Sequence, residues 1–293
     1  QLQRWAQKKG RTLIIVPGDD SEDEALFKAS TVGYQEAFRV WRYLRESGVE
    51  NNQHLFNFLG AQFFNIETSW QAPQALPSCM IYMPTHGGSY QQASLNDWRT
   101  RWQKNSADEK FKPVCMLLFY RSHLQSANTK MFDDLILVME SQGLNPLPIA
   151  LASLKDETCL TLVNTLIEKS DAKLILNTTG FASNTIANAD LASEPTFIES
   201  PFAKELPVLQ LILASGTQED WRDYSQGLRS RDIAMHVVLP EMDGRIISRA
   251  VSFKSESHFN QRCETPVVRY TLHPERAQFV VKLAKAYCTL VTT

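Results

Sequence analysis

The 293-residue sequence has neither of the common phosphate-binding turns, G-x-G-x-x-G or G-x-x-x-x-G-K-[ST]. Any nucleotide its chemistry needs must therefore be held by another chain. The G-x-S-x-G elbow of serine hydrolases and the H-E-x-x-H helix of zinc proteases are also missing. The six histidines, His54, His86, His123, His236, His258 and His273, keep no metal-ligand spacing. Cysteine is scarce and odd in number. Cys79, Cys115, Cys159, Cys263 and Cys288 lie far apart with no C-x-x-C pair, which excludes a disulfide scaffold and reads as reduced core thiols of a cytoplasmic protein. Neither sign of charge dominates: 30 Lys and Arg face 32 Asp and Glu, a formal charge of -2. The clustered basic excess that displaces counterions from nucleic-acid phosphates is lacking, so a nucleic-acid partner is not expected. The longest apolar runs, around residues 13–16, 114–120 and 208–214, fall far short of the ~18 residues of a membrane helix. With 12 Gly and 13 Pro the chain is neither collagenous nor of low complexity.

What is present is a core. Hydrophobic residues make up 43% and aromatics 10%, enough at this length for one large or two ordinary domains. The chain opens at Gln1 on a helix-like stretch that Gly10 should terminate, the opening expected of an excerpt from a longer protein. Residues 12–16 predict a buried strand, residues 34–46 and 53–65 predict helices, residues 79–83 a strand and 96–104 a helix. From residue 112 onward fully apolar strands alternate with amphipathic helices: strands at 113–120, 148–152, 173–177, 208–214 and 233–239, and helices at 129–142, 156–169 and 274–288. Asp156 is placed as the cap of its helix. Strands apolar on both faces and separated by helices mean a mostly parallel sheet covered on both sides. The expected fold is therefore α/β, flavodoxin-like or Rossmann-like, with a truncated N-terminal α/β segment over 1–110 and a parallel-sheet domain over 111–293. Residues 183–204 are polar and aperiodic, an excursion between two strands.

Open α/β sheets bind ligands at the carboxyl ends of their strands, and three such ends carry polar groups. At the first, Arg121 can grip a carboxylate bidentately, with His123 nearby and Asn128 opening the next helix. The plainer reading gives a structural Arg, a packed imidazole and a helix cap. At the second, Glu241 and Asp243 are two apart; in extended chain they face one side and can receive a hydrated cation or take a proton from an N–H. Asp243-Gly244 is equally a turn signal. At the third, Thr179-Gly180 lets backbone approach a ligand, or simply makes a βα turn. Thr217, three residues before Asp220, reads as a helix cap, and Trp221 as core.

Five strings taken together carry a resemblance: Leu118-Phe119-Tyr120-Arg121-Ser122-His123-Leu124-Gln125, Gly143-Leu144-Asn145-Pro146-Leu147-Pro148-Ile149, Asn177-Thr178-Thr179-Gly180-Phe181, Ser225-Gln226-Gly227-Leu228, and the run from Val238 through Leu239-Pro240-Glu241-Met242-Asp243-Gly244-Arg245 to Ile246. They resemble the large subunit of cobaltochelatase, the CobN type of the CobN/magnesium chelatase family. Arg249-Ala250-Val251-Ser252-Phe253-Lys254 favours the cobalt branch. The match is dense from residue 112 to 290. A departure falls at Gly88-Ser89-Tyr90-Gln91, where the family pattern places His-Pro after the Tyr. Family members are several times longer, so the resemblance implies an N-terminal fragment of a subunit that binds the tetrapyrrole and cobalt(II) as substrates. Two smaller subunits, one an AAA+ ATPase using Mg-ATP, complete the enzyme. It implies Glu241 as the base for the pyrrole protons or a metal-relay ligand, Asp243 as the residue that sets the turn, and Arg121, Arg245 and Arg249 as partners of the ring's carboxylates. His123, Asn128 and Thr179 complete the expected substrate-binding set. The same resemblance admits magnesium and protoporphyrin in place of cobalt, or a non-catalytic tetrapyrrole-binding or interaction module.

Overall fold

The computed structural model describes residues 1–19, 21–85, 90–103, 112–180, 201–202, 204–225 and 227–292. The chain divides into two compact units, residues 1–77 with 125–127, and 78–124 with 128–293. The division falls between Pro77 and Ser78, not near residue 110, because the strand after it pairs into the large sheet. Among its described residues the first unit holds helices Leu2–Lys9, Glu24–Lys28, Tyr34–Glu46 and Val49–Phe63, and no strand. Gly10 closes the first helix at φ 58°, a left-handed position that suits glycine. Phe27, Ala37 and Trp41 form one buried cluster, and Val40, Tyr43, Leu55 and Phe58 another. Residues 12–16 do not join a ladder as expected. Hydroxyl side chains take their amides instead: Leu13 N–H donates to Thr31 Oγ1 at 2.7 Å and Ile15 N–H to Ser30 Oγ at 2.8 Å.

Among its described residues the second unit is built on one eight-stranded sheet: β1 Cys79–Pro84, β2 Tyr90–Ala93, β3 Val114–Tyr120, β4 Asn145–Leu151, β5 Leu174–Asn177, β6 Val208–Thr217, β7 Ile246–Asn260 and β8 Thr265–Leu272. Its order is β2-β1-β4-β3-β5-β6-β7-β8. The central five, β4-β3-β5-β6-β7, run parallel, and β1, β2 and β8 add antiparallel edges. Counted from β3, the parallel strands lie in the order 2-1-3-4-5, which selects the flavodoxin-like arrangement over the Rossmann-like one. Alternate residues of β3 explain the two covered faces. Met116 and Leu118 join Ile149, Ile175 and the buried residues of helix Glu157–Ser170 on one side. On the other, Phe119 stacks on Phe132 of helix Lys130–Ser141 at 4.2 Å. Caps fix where helices begin: Asp156 accepts the N–H groups of Thr158 and Cys159, and Ser94 with Asp97 closes a capping box on helix Leu95–Trp102.

Two departures change the site. Residues 233–239 are helical, not a strand: Ser230–Ile233 runs into a wide π turn over Ala234–Val238 and then Leu239–Met242. A short continuous apolar run does not distinguish buried strand from helix, and here both Ile233 and Val238 are exposed. The widening has a local cause. Leu239 N–H bonds the carbonyl of Ala234, five residues back, and the following Pro240 has no N–H and a ring that crowds a normal helical turn. The second departure is the β7–β8 hairpin, which the sequence reading left unassigned. The predicted excursion at 183–204 lies almost wholly outside the described residues, as do Gly88 and Ser89 of the departing loop, Phe181 and Gln226.

Candidate functional site

Parallel sheets of this order open a crevice where the strand order reverses, here between the carboxyl ends of β3 and β5. Thr178 extends the β5 ladder by one step, sending both its N–H (3.0 Å) and its hydroxyl (2.8 Å) to the carbonyl of Leu118. Gly180 N–H then donates to the Tyr120 hydroxyl at 3.2 Å. A Cβ on Gly180 would stand 3.1 Å from the Met235 carbonyl oxygen and 3.3 Å from His236 Cε1, so the π turn is seated closely on this glycine and would have to give slightly for any side chain. His236 Nδ1 is buried and has no hydrogen-bond partner among the described residues. Burial holds the His236 imidazole below its ordinary pKa, and the Asp232 carboxylate partly opposes the shift.

Beneath this turn lies a buried polar knot. Asn177 Nδ2 donates to Gln210 Oε1 (2.7 Å) and to the Thr179 carbonyl (3.1 Å), and the Thr179 hydroxyl donates to Asn177 Oδ1 (2.9 Å). Gln210 Nε2 donates to the same Thr179 carbonyl at 3.0 Å. Arg245 closes the knot, with Nη1 on Gln210 Oε1 at 3.0 Å and Nη2 on Asp243 Oδ2 at 2.7 Å. The Arg245 and Asp243 side chains are only 3% and 2% exposed. Burial lowers the pKa of Arg245, and the Asp243 carboxylate works against that. Arg245, expected to meet a ring carboxylate, is thus a strut whose guanidinium holds the Thr179 turn in place, and Thr179 turns its hydroxyl inward.

Glu241 and Asp243 do not share a face. Residues two apart in a helical turn are about 200° apart around the axis. Glu241 is exposed on Leu239–Met242, while Asp243 ends that helix with its carboxylate buried against Arg245. Gly244 at φ 70° completes the turn. Because this stretch is helical and not extended, the two carboxylates part, and Asp243 stands at the C-terminal cap with Gly244 after it. Arg121 follows Tyr120 at the end of β3, its N–H bonded to the Leu151 carbonyl at 2.8 Å, and its side chain is half-buried. His123 is a packed ring, edge-on to Phe132 at 4.8 Å and Tyr270 at 5.6 Å, and burial pushes its pKa down to about 4. Asn128 Oδ1 accepts Tyr270 N–H at 3.3 Å and so ties β8 to the loop before helix Lys130–Ser141. Arg249 is exposed with its guanidinium 3.4 Å from the centroid of Phe279. Hydrogen bonds therefore bring together Tyr120 with Gly180 and Thr179 with Arg245 and Asp243, and Arg121 adjoins Tyr120 in the chain, while His123 and Arg249 pack on aromatic rings and Asn128 ties down β8.

Sequence reasoning missed Gln210 and His236. Gln210 had a signal, the single polar residue inside the apolar run of β6. His236 was hidden by the mistaken strand. No group of three or more His, Cys, Asp or Glu able to hold a metal occurs among the described residues. Glu241 is a single carboxylate, one ligand of a transient metal path at most. No helix among the described residues is long and apolar enough to cross a membrane.

Fold and site define an α/β protein of flavodoxin-like strand order, whose strand-order reversal lies beside Tyr120, Arg121 and a buried polar knot. Residues 41–293 match the CobN/Magnesium Chelatase family model, and the chain belongs to that family. It is 42% identical over 283 residues to the aerobic cobaltochelatase subunit CobN of Pseudomonas aeruginosa, covering 97% of this chain and 21% of that one. A second aerobic cobaltochelatase subunit CobN, from Sinorhizobium sp, is 32% identical over 93% of this chain and 21% of its own length. The magnesium-chelatase subunit ChlH of rice, Oryza sativa subsp. indica, is 28% identical over 51% of this chain and 11% of its own length. The catalytic subunit of cobaltochelatase from Mycobacterium tuberculosis has the same fold, with a TM-score of 0.70 at 24% identity, covering 98% of this chain and 22% of that one. The chain thus spans about a fifth of the length of the CobN relatives it matches.

Proposed function

We propose that the chain works as part of the large subunit of an ATP-dependent cobaltochelatase, which inserts cobalt(II) into hydrogenobyrinic acid a,c-diamide in cytoplasmic cobalamin biosynthesis. The observation that carries this reading is the 42% identity to a CobN subunit across 97% of the chain. Cobalt is favoured over magnesium because the CobN relatives align over nearly the whole chain, whereas the rice ChlH subunit aligns over half of it. ATP hydrolysis is assigned to an AAA+ partner subunit acting with a second smaller subunit, as the family resemblance implies.

Within that enzyme the β3–β5 crevice presents Arg121 to a carboxylate of the macrocycle, and the exposed Glu241 takes a pyrrole proton or passes the metal. Asp243 and Arg245 act one layer back: they position the Glu241 turn and the Thr179–Gly180 turn without touching the ring. Glu241→Gln in the full-length subunit should leave tetrapyrrole affinity within about twofold and lower cobalt insertion at least a hundredfold, read by absorbance of the metallated ring. Unchanged turnover would overturn the role of Glu241. Insertion of magnesium but not cobalt by the assembled wild-type enzyme would overturn the choice of metal.

A further inference from the structure

The carboxyl end of β6 opens a second cleft, of about 220 Å³, that the crevice does not share. Asp232, Trp221, Tyr224, Gly227, Asp220 and Arg229 line it. Asp232 is 3% exposed, and its Oδ2 accepts the Ser215 N–H at 2.9 Å. The other oxygen has no hydrogen-bond donor among the described residues, and no cation stands within 4 Å of the carboxylate there. At the mouth, Arg229 Nη2 and Asp220 Oδ2 meet at 2.9 Å and neutralise each other. Of the charged side chains that line the cleft, Asp232 is therefore the one without an ion pair among the described residues. One wall is aromatic. Trp221 packs on Phe253 at 5.2 Å and carries the Arg276 guanidinium 4.6 Å from its ring centroid, while its indole edge faces Gly227, which sits at φ 65°.

We propose that this cleft binds an organic cation, a guanidinium or primary ammonium group on a short stem, with Asp232 as its acceptor and Trp221 and Tyr224 as its walls. An anion would be repelled by Asp232. A hard divalent cation needs six or more oxygen ligands, and an aromatic wall with one available carboxylate does not supply them. A guanidinium matches a buried carboxylate in shape and gains from aromatic faces. The cation has two sources, a free small molecule or an arginine or lysine side chain of a polypeptide. The proposal stands on the cleft alone and is independent of the chelatase reading.

The test is a titration of the protein with methylguanidinium, followed by the indole N–H resonance of Trp221, assigned through Trp221→Phe. A saturable shift is expected, absent with urea as the neutral analogue. Asp232→Asn keeps an oxygen for Ser215 and should weaken binding at least tenfold. Arg229→Gln, at a half-exposed position that does not endanger folding, releases Asp220 as a second acceptor and should tighten binding severalfold. A flat titration, equal response to urea, or unchanged or weaker binding in Arg229→Gln would overturn the proposal. Tighter binding of N-acetyl-arginine amide than of methylguanidinium assigns the site to a polypeptide side chain, and the reverse order assigns it to a free cation.

Discussion

Two strand ends of one sheet are finished in opposite ways. Where β5 ends, Asn177, Thr179, Gln210, Arg245 and Asp243 satisfy one another in a knot closed to solvent. Where β6 ends, a buried carboxylate lines an open cleft with one oxygen bonded to the Ser215 N–H and the other without a donor among the described residues. The first arrangement fixes a backbone turn and has little left to give a ligand. The second leaves an interaction unmade in the protein, and such a group discriminates strongly when a ligand completes it. Polar substitutions at the knot should therefore show in stability, and those at the cleft mainly in binding.

The strongest way to break the comparison is Asp243→Ala, which strands the Arg245 charge in the interior and should cost about 3–5 kcal/mol by denaturant unfolding. Adding Arg245→Met should recover most of that loss. If Asp243→Ala is as stable as the parent, the knot is not what holds the turn. Next comes the pH response of His123, packed beside the loop. Its folded pKa of about 4 lies below the ordinary 6.5, so the unfolded chain binds one more proton between those values. This contribution is complete above pH 6.5 and is lost as the pH falls towards 4. His123→Phe should flatten the fall in unfolding midpoint between pH 7 and pH 5, and His236, depressed in the same direction, should account for part of the slope that remains. Gly180→Ala forces its methyl against the Met235 carbonyl and should cost about 1–3 kcal/mol, seen as a lower Tm. The smallest effect belongs to the cleft side. Thr217→Ala removes the hydroxyl that accepts Asp220 N–H at 3.0 Å and should cost about 1 kcal/mol.

The parallel core was legible because β3, β4, β5 and β6 are short and apolar on both faces, and because the helices between them carry caps such as Asp156. Thr217 was legible as a cap for the same reason, since the S/T-x-x-D spacing is local chemistry. Trp221 was only partly so: it packs on Phe253 yet borders a cleft. The strand predicted at 233–239 was not legible as helix, because its apolar run fits either state and the π turn is set by contact with Gly180 and by Pro240, one of them more than fifty residues away. Glu241 and Asp243 fell with it. Arg245 illustrates a different limit. Its proximity to Asp243 in sequence gave no sign that the pair would be buried, since the burial is supplied by Asn177, Thr179 and Gln210 from other strands.

The place of β1 in the sheet bears on how the molecule is made. Its inner partner β4 follows roughly 60 residues later, a delay of about 3–12 s at ordinary rates of synthesis. During that interval a strand reading Cys-Met-Ile-Tyr-Met has one edge able to pair with any neighbour on the ribosome or with a second nascent chain. The β1–β2 hairpin closes the opposite edge at once, from Ile81–Ala93 to Pro84–Tyr90. β1 itself is thus left with one open edge, the one that β4 fills when it emerges, and the Trp98 indole then donates to the Pro146 carbonyl of β4 at 2.7 Å.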